Sequence, residues 1–299
     1  MRAREWHCGP FDFDLATPLV MGICNVTPDS FSDGGMHATA SEALEHAKKL
    51  IAAGADIIDV GGESTRPGAE EVPPEVEIAR VLPVVRELAS HGVAVSVDTR
   101  HASVAEACVD AGACIINDVS GFRSADMREV AARGDAGLVV MHMRGTPKTM
   151  QEAPAYDDVV HEVEQEMMRM VTRLTTEGVE PGRICLDVGI GFGKNVMHNL
   201  ALVQATAHFA ELGLPLMAAV SRKSFIGAMS AESIPAMRDR ASALCAAFMV
   251  DQGACIVRVH DVATTREMLR DSHRAVIGLG SNMGNSCEHI DDALASMRL

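Results

Sequence analysis

Four residues of this 299-residue chain have the chemistry to hold a flat, nitrogen-rich ring: Asp98, Asn117, Asp187 and Lys223. A carboxylate offers two acceptor oxygens side by side, a geometry that pairs with a guanidinium and equally with an amino-pyrimidine edge. A nearby lysine donates to a ring carbonyl or ring nitrogen. A second set is cationic: Arg66, Arg258 and His260 suit phosphate oxygens. Asn25 adds a neutral oxygen of the kind that ligates a hard cation such as Mg2+. Ser224 opens a helical pattern, where a hydroxyl and free backbone amides suit a carboxylate.

These residues lie far apart in the chain, so a repeating architecture must gather them. One local unit recurs. It runs Ala53-Gly54-Ala55-Asp56-Ile57-Ile58-Asp59, then Ala111-Gly112-Ala113-Cys114-Ile115-Ile116-Asn117-Asp118, then Gln252-Gly253-Ala254-Cys255-Ile256-Val257-Arg258. In each, a helical stretch ends at a glycine able to take the left-handed conformation of a helix stop. A short β-branched run follows and closes on a polar tip. Apolar runs of this kind occupy 19–24, 57–60, 93–97, 114–116, 138–141, 184–186, 216–220 and 255–259. Helical patterns lie between them at 41–53, 74–90, 102–111, 126–133, 156–176, 198–211, 235–251 and 262–270. Continuous apolar runs fit strands buried on both faces. Eight such strands alternating with eight helices predict an α/β protein, a (β/α)8 TIM barrel. The competing architecture, a doubly wound open sheet, would place a glycine-rich turn after the first strand. Here that strand leads into Asn25-Val26-Thr27-Pro28-Asp29. Residues 6–9 and 11–14 flank a Gly-Pro turn and are expected to form a hairpin over the barrel's bottom.

Chemistry in such a barrel sits at the C-terminal ends of the strands. The tips are Asn25, Asp59, Asp98, Asn117-Asp118, Met141-His142, Asp187, Ser221-Arg222-Lys223-Ser224 and Arg258-Val259-His260-Asp261. One polar tip is as readily a helix cap or turn residue. Eight converging on one mouth are not accounted for by capping alone. Three loops are rich in small or turn residues: 25–35, 61–68 and 189–194. The last resembles a phosphate-cradling GxGxxG but lacks its third glycine in place, a weak signal. Phe31 and Phe192 either wall an aromatic co-substrate or anchor their own loops, and spacing alone favours anchoring.

The formal net charge of −15 argues against a broad surface for nucleic acid or an anionic membrane. Small partners are expected instead. The eight cysteines form no CxxC pair, which argues against a zinc site. Cys24, Cys114, Cys185 and Cys255 sit in apolar runs and read as buried free thiols of a reducing cytoplasm. No stretch is long and apolar enough to span a membrane, and the first residues carry no apolar leader.

Two long motifs are specific. Gly22-Ile23-Cys24-Asn25-Val26-Thr27-Pro28-Asp29-Ser30-Phe31-Ser32-Asp33-Gly34-Gly35 resembles a signature of the dihydropteroate synthases, as does Asp59-Val60-Gly61-Gly62-Glu63-Ser64-Thr65-Arg66-Pro67-Gly68. Ser96-Val97-Asp98-Thr99, Ile116-Asn117-Asp118, Ser221-Arg222-Lys223-Ser224 and Arg258-Val259-His260-Asp261 follow in that family's order. The resemblance covers about residues 5 to 270. It implies a folate-pathway enzyme that joins (7,8-dihydropterin-6-yl)methyl diphosphate to p-aminobenzoate, releasing diphosphate. It implies that Asp98, Asn117, Asp187 and Lys223 hold the pterin, with Met141 in the substrate site. Asn25 would help bind Mg2+, and Arg66, Arg258 and His260 would hold the diphosphate. Thr65, Pro67, Phe192 and Ser224 would line the p-aminobenzoate site. The family usually forms a homodimer. Asp98, Asn117, Asp187, Lys223, Arg258 and His260 are the expected catalytic set.

One position departs from the family. Asp187-Val188-Gly189 stands where the family has Asp-Pro-Gly, which predicts a looser backbone after the carboxylate. Beyond the expected barrel domain, 1–272, the segment 273–299 begins a new pattern. Ala275-Val276-Ile277-Gly278-Leu279-Gly280-Ser281-Asn282-Met283-Gly284-Asn285 resembles the start of a hydroxymethyldihydropterin pyrophosphokinase, too short here to act as one. Two other functions remain open to the barrel: a pterin-binding corrinoid methyltransferase, and an inactive pterin-binding paralogue.

Overall fold

The computed structural model describes residues 3–27, 35–64, 71–146, 150, 154–230 and 232–271. Its barrel belongs to a compact unit spanning Met1–Leu269, with Arg270–Leu299 set apart as a second unit. The pyrophosphokinase-like pattern at 273–299 lies outside the described residues.

A hairpin comes first, β1 (Glu5–Cys8) paired antiparallel with β2 (Phe11–Asp14). Eight parallel strands follow: β3 (Leu19–Asn25), β4 (Ile57–Gly61), β5 (Ala94–Asp98), β6 (Ile115–Asp118), β7 (Gly137–Met141), β8 (Ile184–Asp187), β9 (Leu216–Ala218) and β10 (Ile256–Val259). They pair in sequence order, and β10 closes on β3 to complete the barrel. The surrounding helices are α1 (Gly35–Ala52), α2 (Pro74–Ser90), α3 (Ala102–Asp110), α4 (Ala125–Arg133), α5 (Val159–Thr176), α6 (Val196–Gln204), α7 (Thr206–Ala210), α8 (Ser224–Ser230), α9 (Asp239–Asp251) and α10 (Val262–Asp271).

The helix expected over 198–211 is two helices, parted at Ala205. There the Thr206 hydroxyl donates to the Val203 carbonyl at 2.7 Å, a local bond that competes with continuing the helix. The helix expected from 235 opens as a 3-10 turn, Pro235–Arg238, because proline suits a first turn and supplies no amide hydrogen. Cys255 is only half-buried, against the expectation of full burial, whereas Cys24, Cys114 and Cys185 are buried.

Strand pleating divides the core into two layers. Val20, Cys24, Ile58, Val60, Val95, Val97, Ile116, Leu138, Val140, Leu186, Ala218, Val257 and Val259 face outward, packing with buried residues of the helices. The alternate residues Leu19, Met21, Ile57, Ala94, Ile115, Val139, Cys185, Met217 and Ile256 fill the interior with Trp6 and Cys8 of the hairpin. Trp6 is fully buried and donates its indole N–H to the Arg183 carbonyl at 2.9 Å. The Gly9 amide donates to Asp135, just before β7. The hairpin therefore plugs the N-terminal end of the barrel and leaves the opposite end for chemistry.

Candidate active site at the strand tips

The same pleat decides which tip residues enter the barrel. A residue two positions beyond an inward apolar residue also points inward. Asp59 follows Ile57, Asp98 follows Ala94 and Ser96, Asn117 follows Ile115, Asp187 follows Cys185, and Arg258 follows Ile256. Asp118, of opposite parity, faces away from the mouth. It accepts from the amides of Ser120 and Phe122, each at 2.7 Å, and serves as a turn cap.

The inward residues form one charged layer above the apolar plug. Arg258 Nε donates to Asp59 Oδ2 and Arg258 Nη2 to Asp98 Oδ2, both at 2.6 Å. Asn117 Nδ2 reaches Asp59 Oδ2 at 3.2 Å. Two carboxylates thus share one guanidinium. Burial pushes the Asp98 carboxyl above the usual range, Arg258 opposes that rise, and the charge of Asp59 adds to it. The second oxygens, Asp59 Oδ1 and Asp98 Oδ1, are buried with no hydrogen-bond partner, as are Ser96 Oγ and, on α2, Glu77 Oε1. Buried acceptors without donors are costly, and such atoms call for a ligand that brings N–H groups.

Asp187 accepts from the Gly189 amide at 2.8 Å, and burial also raises its carboxyl. That bond spans Val188, where the family pattern has proline. Val188 is itself buried. Gly189 has φ +67, and a Cβ there would stand 1.8 Å from the His142 carbonyl oxygen, so only glycine fits. Lys223 approaches from the loop after β9, with its ammonium 4.0 Å from the Phe192 ring centroid. Burial lowers Lys223 to about 8, while Asp187 and Asp98 pull it back up. Phe192 packs with Val119, Met141, Met143 and Met150. The ring is thus both an anchor for its own loop and a wall beneath Lys223.

The rim is built by the loops. The Ser221 hydroxyl lies 2.9 Å from His260 Nδ1 and accepts from the His260 amide, joining the tips of β9 and β10. Arg222 sits at φ +58, held there by paired bonds to Asp239 and by its amide donating to Ser242. This strained residue sets the turn that aims Lys223 inward. Ser224 is exposed at the start of α8. Asn25 pairs in register with Gly61, and Gly61 with Asp98. Its amide oxygen lies 3.7 Å from where a Gly61 Cβ would be, at the edge of the charged layer. Thr65, Arg66 and Pro67 lie outside the described residues.

The base of that second loop is described. Glu63 takes two bonds from Arg100, at 2.9 and 3.0 Å, and a third from the Val72 amide at 3.0 Å. Glu63, Glu77 and His101 bring ligand atoms within 4.8 Å of one another. Glu63 is held by Arg100 and Glu77 Oε2 by His101 at 2.7 Å, and these pairs join the residues after β4 to those after β5 and to α2.

Residues 21–260 match the family model described as pterin binding enzyme. The chain is 48% identical over 258 residues to the dihydropteroate synthase of Escherichia coli strain K12, covering 86% of this chain and 91% of that one. It is 45% identical over 274 residues to that of Neisseria meningitidis serogroup C, covering 90% and 97%. The chain belongs to the dihydropteroate synthase family. It is a transferase of folate biosynthesis, which sets aside the corrinoid methyltransferase alternative. Among solved structures, a Xanthomonas albilineans dihydropteroate synthase with 4-aminobenzoic acid superposes with TM-score 0.86 at 40% identity, covering 92% of this chain and 100% of that chain. The same enzyme with 7,8-dihydropteroate gives 0.82 at 37%, covering 91% and 100%.

Within this dihydropteroate synthase, Asp98, Asn117, Asp187, Lys223 and Arg258 are brought together in or at the charged layer, with Phe192 against the Lys223 ammonium and Met141 packed with Phe192. Arg258, expected on the diphosphate rim, makes its bonds to the deep carboxylates. Two residues of this neighbourhood carry no role in the sequence reading. Asp59 was one polar tip among many, although its pleat parity with Asp98 marks it as inward. Lys194 stood in a weak glycine-rich motif, and its partners are loop groups that no spacing rule reveals.

Proposed function

We propose that the strand-tip ring divides the dihydropteroate synthase reaction into three jobs. In that reaction the amine of p-aminobenzoate forms a C–N bond to the exocyclic methylene of the pterin as the C–O bond to diphosphate breaks. The extra proton on nitrogen leaves to solvent. Asp98, Asn117, Asp187 and Lys223, with Asp59 behind them, hold the pterin. His260 and Arg66 stabilise the departing diphosphate, and Arg258 joins them through the N–H groups that it does not give to Asp59 and Asp98. Thr65, Pro67, Phe192 and Ser224 receive the arylamine. The observation that carries this reading is the pair of buried acceptors, Asp59 Oδ1 and Asp98 Oδ1, which face no donor of their own.

An arylamine is a weak nucleophile with no strongly acidic proton, so the site needs no strong base. Rate comes from stabilising the leaving group and the electron-poor methylene. The pterin ring feeds electrons to that methylene, which favours a largely dissociative substitution. Asp98 lies in the charged layer, where its negative charge steadies the developing cation. Mg2+ fits as a cation carried in on the diphosphate: Asn25 offers one hard oxygen, while Asp59 and Asp98 are already bonded to Arg258. Asn25 would hold the ion, which would supply charge neutralisation to the leaving group.

The exposed apolar side chains of Met229, Ile234, Met237 and Phe248 support a homodimer formed through α8, α9 and the turn between them. The net charge of −15 supports small-molecule partners over nucleic acid. Free thiols at the seven described cysteines support a cytoplasmic setting, and no described helix is long and apolar enough to cross a membrane. The motif at 275–285 supports a pyrophosphokinase-like identity for 273–299.

Calorimetry with two ligands tests the division: a pterin bearing a hydroxymethyl group, and its diphosphate ester. Asp187→Asn should weaken both, whereas His260→Ala should weaken only the ester. Equal loss of both ligands in His260→Ala would sink the assignment of His260 to the diphosphate.

A further inference from the structure

Among the described residues, Lys194 is the one lysine of the site region that the proposed mechanism leaves without a task. Its side chain is buried behind the loop that carries Phe192, with only 3% of the residue exposed. The ammonium has three hydrogens and three close acceptors: the Gly189 carbonyl at 2.9 Å, the Phe192 carbonyl at 3.0 Å and His142 Nδ1 at 2.9 Å. Two of these acceptors belong to the loop after β8, and the third to the residue following β7.

The histidine is fixed in turn. His142 Nε2 lies 3.1 Å from Glu166 Oε2. Since Nδ1 accepts from Lys194, the ring carries its hydrogen on Nε2 and donates it to Glu166. Glu166 also takes a bond from Arg144 at 2.6 Å, and the Arg144 guanidinium lies 4.1 Å from the Tyr156 ring centroid. Tyr156 closes the circuit by donating its hydroxyl to the Gly193 carbonyl at 3.0 Å. The segment between Gly189 and Gly193 is therefore tied to the β7 tip and α5 from two sides. Glycines at 189, 191 and 193 all take positive φ, so the loop has little stiffness of its own. Burial lowers Lys194 to about 7, the charge of Asp187 opposes that fall and the charge of Lys223 adds to it.

We propose that Lys194 is a positioning residue for the arylamine site: it clamps the loop after β8 so that the Phe192 ring stays beneath the Lys223 ammonium. The inference rests on the reading that Phe192 lines that site. Lys194 touches no substrate and acts through the two carbonyls it holds and through His142. Without the clamp the ring has alternative positions, and p-aminobenzoate meets a wall that must be ordered at the cost of binding.

Steady-state kinetics on Phe192→Leu and Lys194→Met test this, with each substrate varied in turn. Phe192→Leu must raise the KM for p-aminobenzoate; if it does not, Phe192 is no part of that site and the inference falls with the reading. Given that rise, Lys194→Met is expected to raise the KM for p-aminobenzoate roughly tenfold, since small misplacements of positioning groups carry large kinetic costs. The KM for the pterin diphosphate should move less than about twofold, and the double variant should be no worse than the more affected single one, as for residues that share one task. Lys194→Gln keeps two donors and serves where the Met variant does not fold; its rise should be smaller and of the same kind. Equal changes for both substrates, or no change in KM alongside a lowered melting temperature, would make Lys194 a brace of the fold alone and overturn the proposal.

Discussion

Arg258→Met isolates the electrostatic centre of the barrel. The substitution keeps much of the side chain's length and removes the only cation bonded directly to Asp59 and Asp98 among the described residues. Asp59 is fully buried and Asp98 is 8% exposed, so neither carboxylate can turn to water. Removing one partner of a buried pair costs about 3–5 kcal/mol. In a domain of this size each kcal/mol lowers Tm by roughly 2–4 °C, so a fall of roughly 6–20 °C is expected at about pH 8. The pH dependence has a defined sign. Burial already holds the Asp98 carboxyl above its ordinary range, and Arg258 is what pulls it down. Without Arg258 it rises further, so the folded variant binds a proton more tightly than its unfolded chain. Its stability therefore recovers as pH falls and is lost as pH rises through that raised value. Thermal melts of variant and parent, followed by circular dichroism at about pH 8 and about pH 5.5, should show the gap narrowing on acidification. A gap under about 2 °C at both values, or one that widens in acid, would refute the reasoning.

Asp98→Asn should lower kcat by roughly a hundredfold, the scale for losing one preorganised electrostatic group. Pterin binding, read by calorimetry, should change far less, and matched losses in both would count against electrostatic steadying of the methylene. Trp6→Ala should cost about 3–5 kcal/mol in urea unfolding, because it empties a fully buried site and removes the bond to Arg183. Its kcat should stay near the parent value, since the hairpin plugs the end opposite the mouth; a loss under about 1 kcal/mol would contradict the plug.

The barrel was legible because its strands are apolar runs too short for helices and too continuous for an exposed sheet. The Gly-then-strand unit also marked where three helices stop. The site was legible as a set of tips but not as a layer. Counting polar tips treats Asp59, Asn117 and Asp118 alike, whereas the pleat sends the first two inward and the third outward. Charge and family resemblance both group Arg258 with the phosphate ligands, and neither reveals that its place two residues after inward Ile256 puts its guanidinium between Asp59 and Asp98. Lys194 was illegible for a different reason. Two of its three close acceptors are backbone carbonyls turned toward it by a glycine-rich loop, and residue types do not encode that convergence. The Glu63–Arg100 pair joins residues 37 positions apart and becomes visible only once β4 and β5 are neighbours.

The central claim is that this mouth joins an arylamine to a pterin as diphosphate departs. Diphosphate release from (7,8-dihydropterin-6-yl)methyl diphosphate, followed with and without p-aminobenzoate and with and without Mg2+, tests it most directly. The account predicts fast release only when all are present, with 7,8-dihydropteroate formed mole for mole. Release at the same rate without p-aminobenzoate, or pterin binding with no release at all, would contradict it.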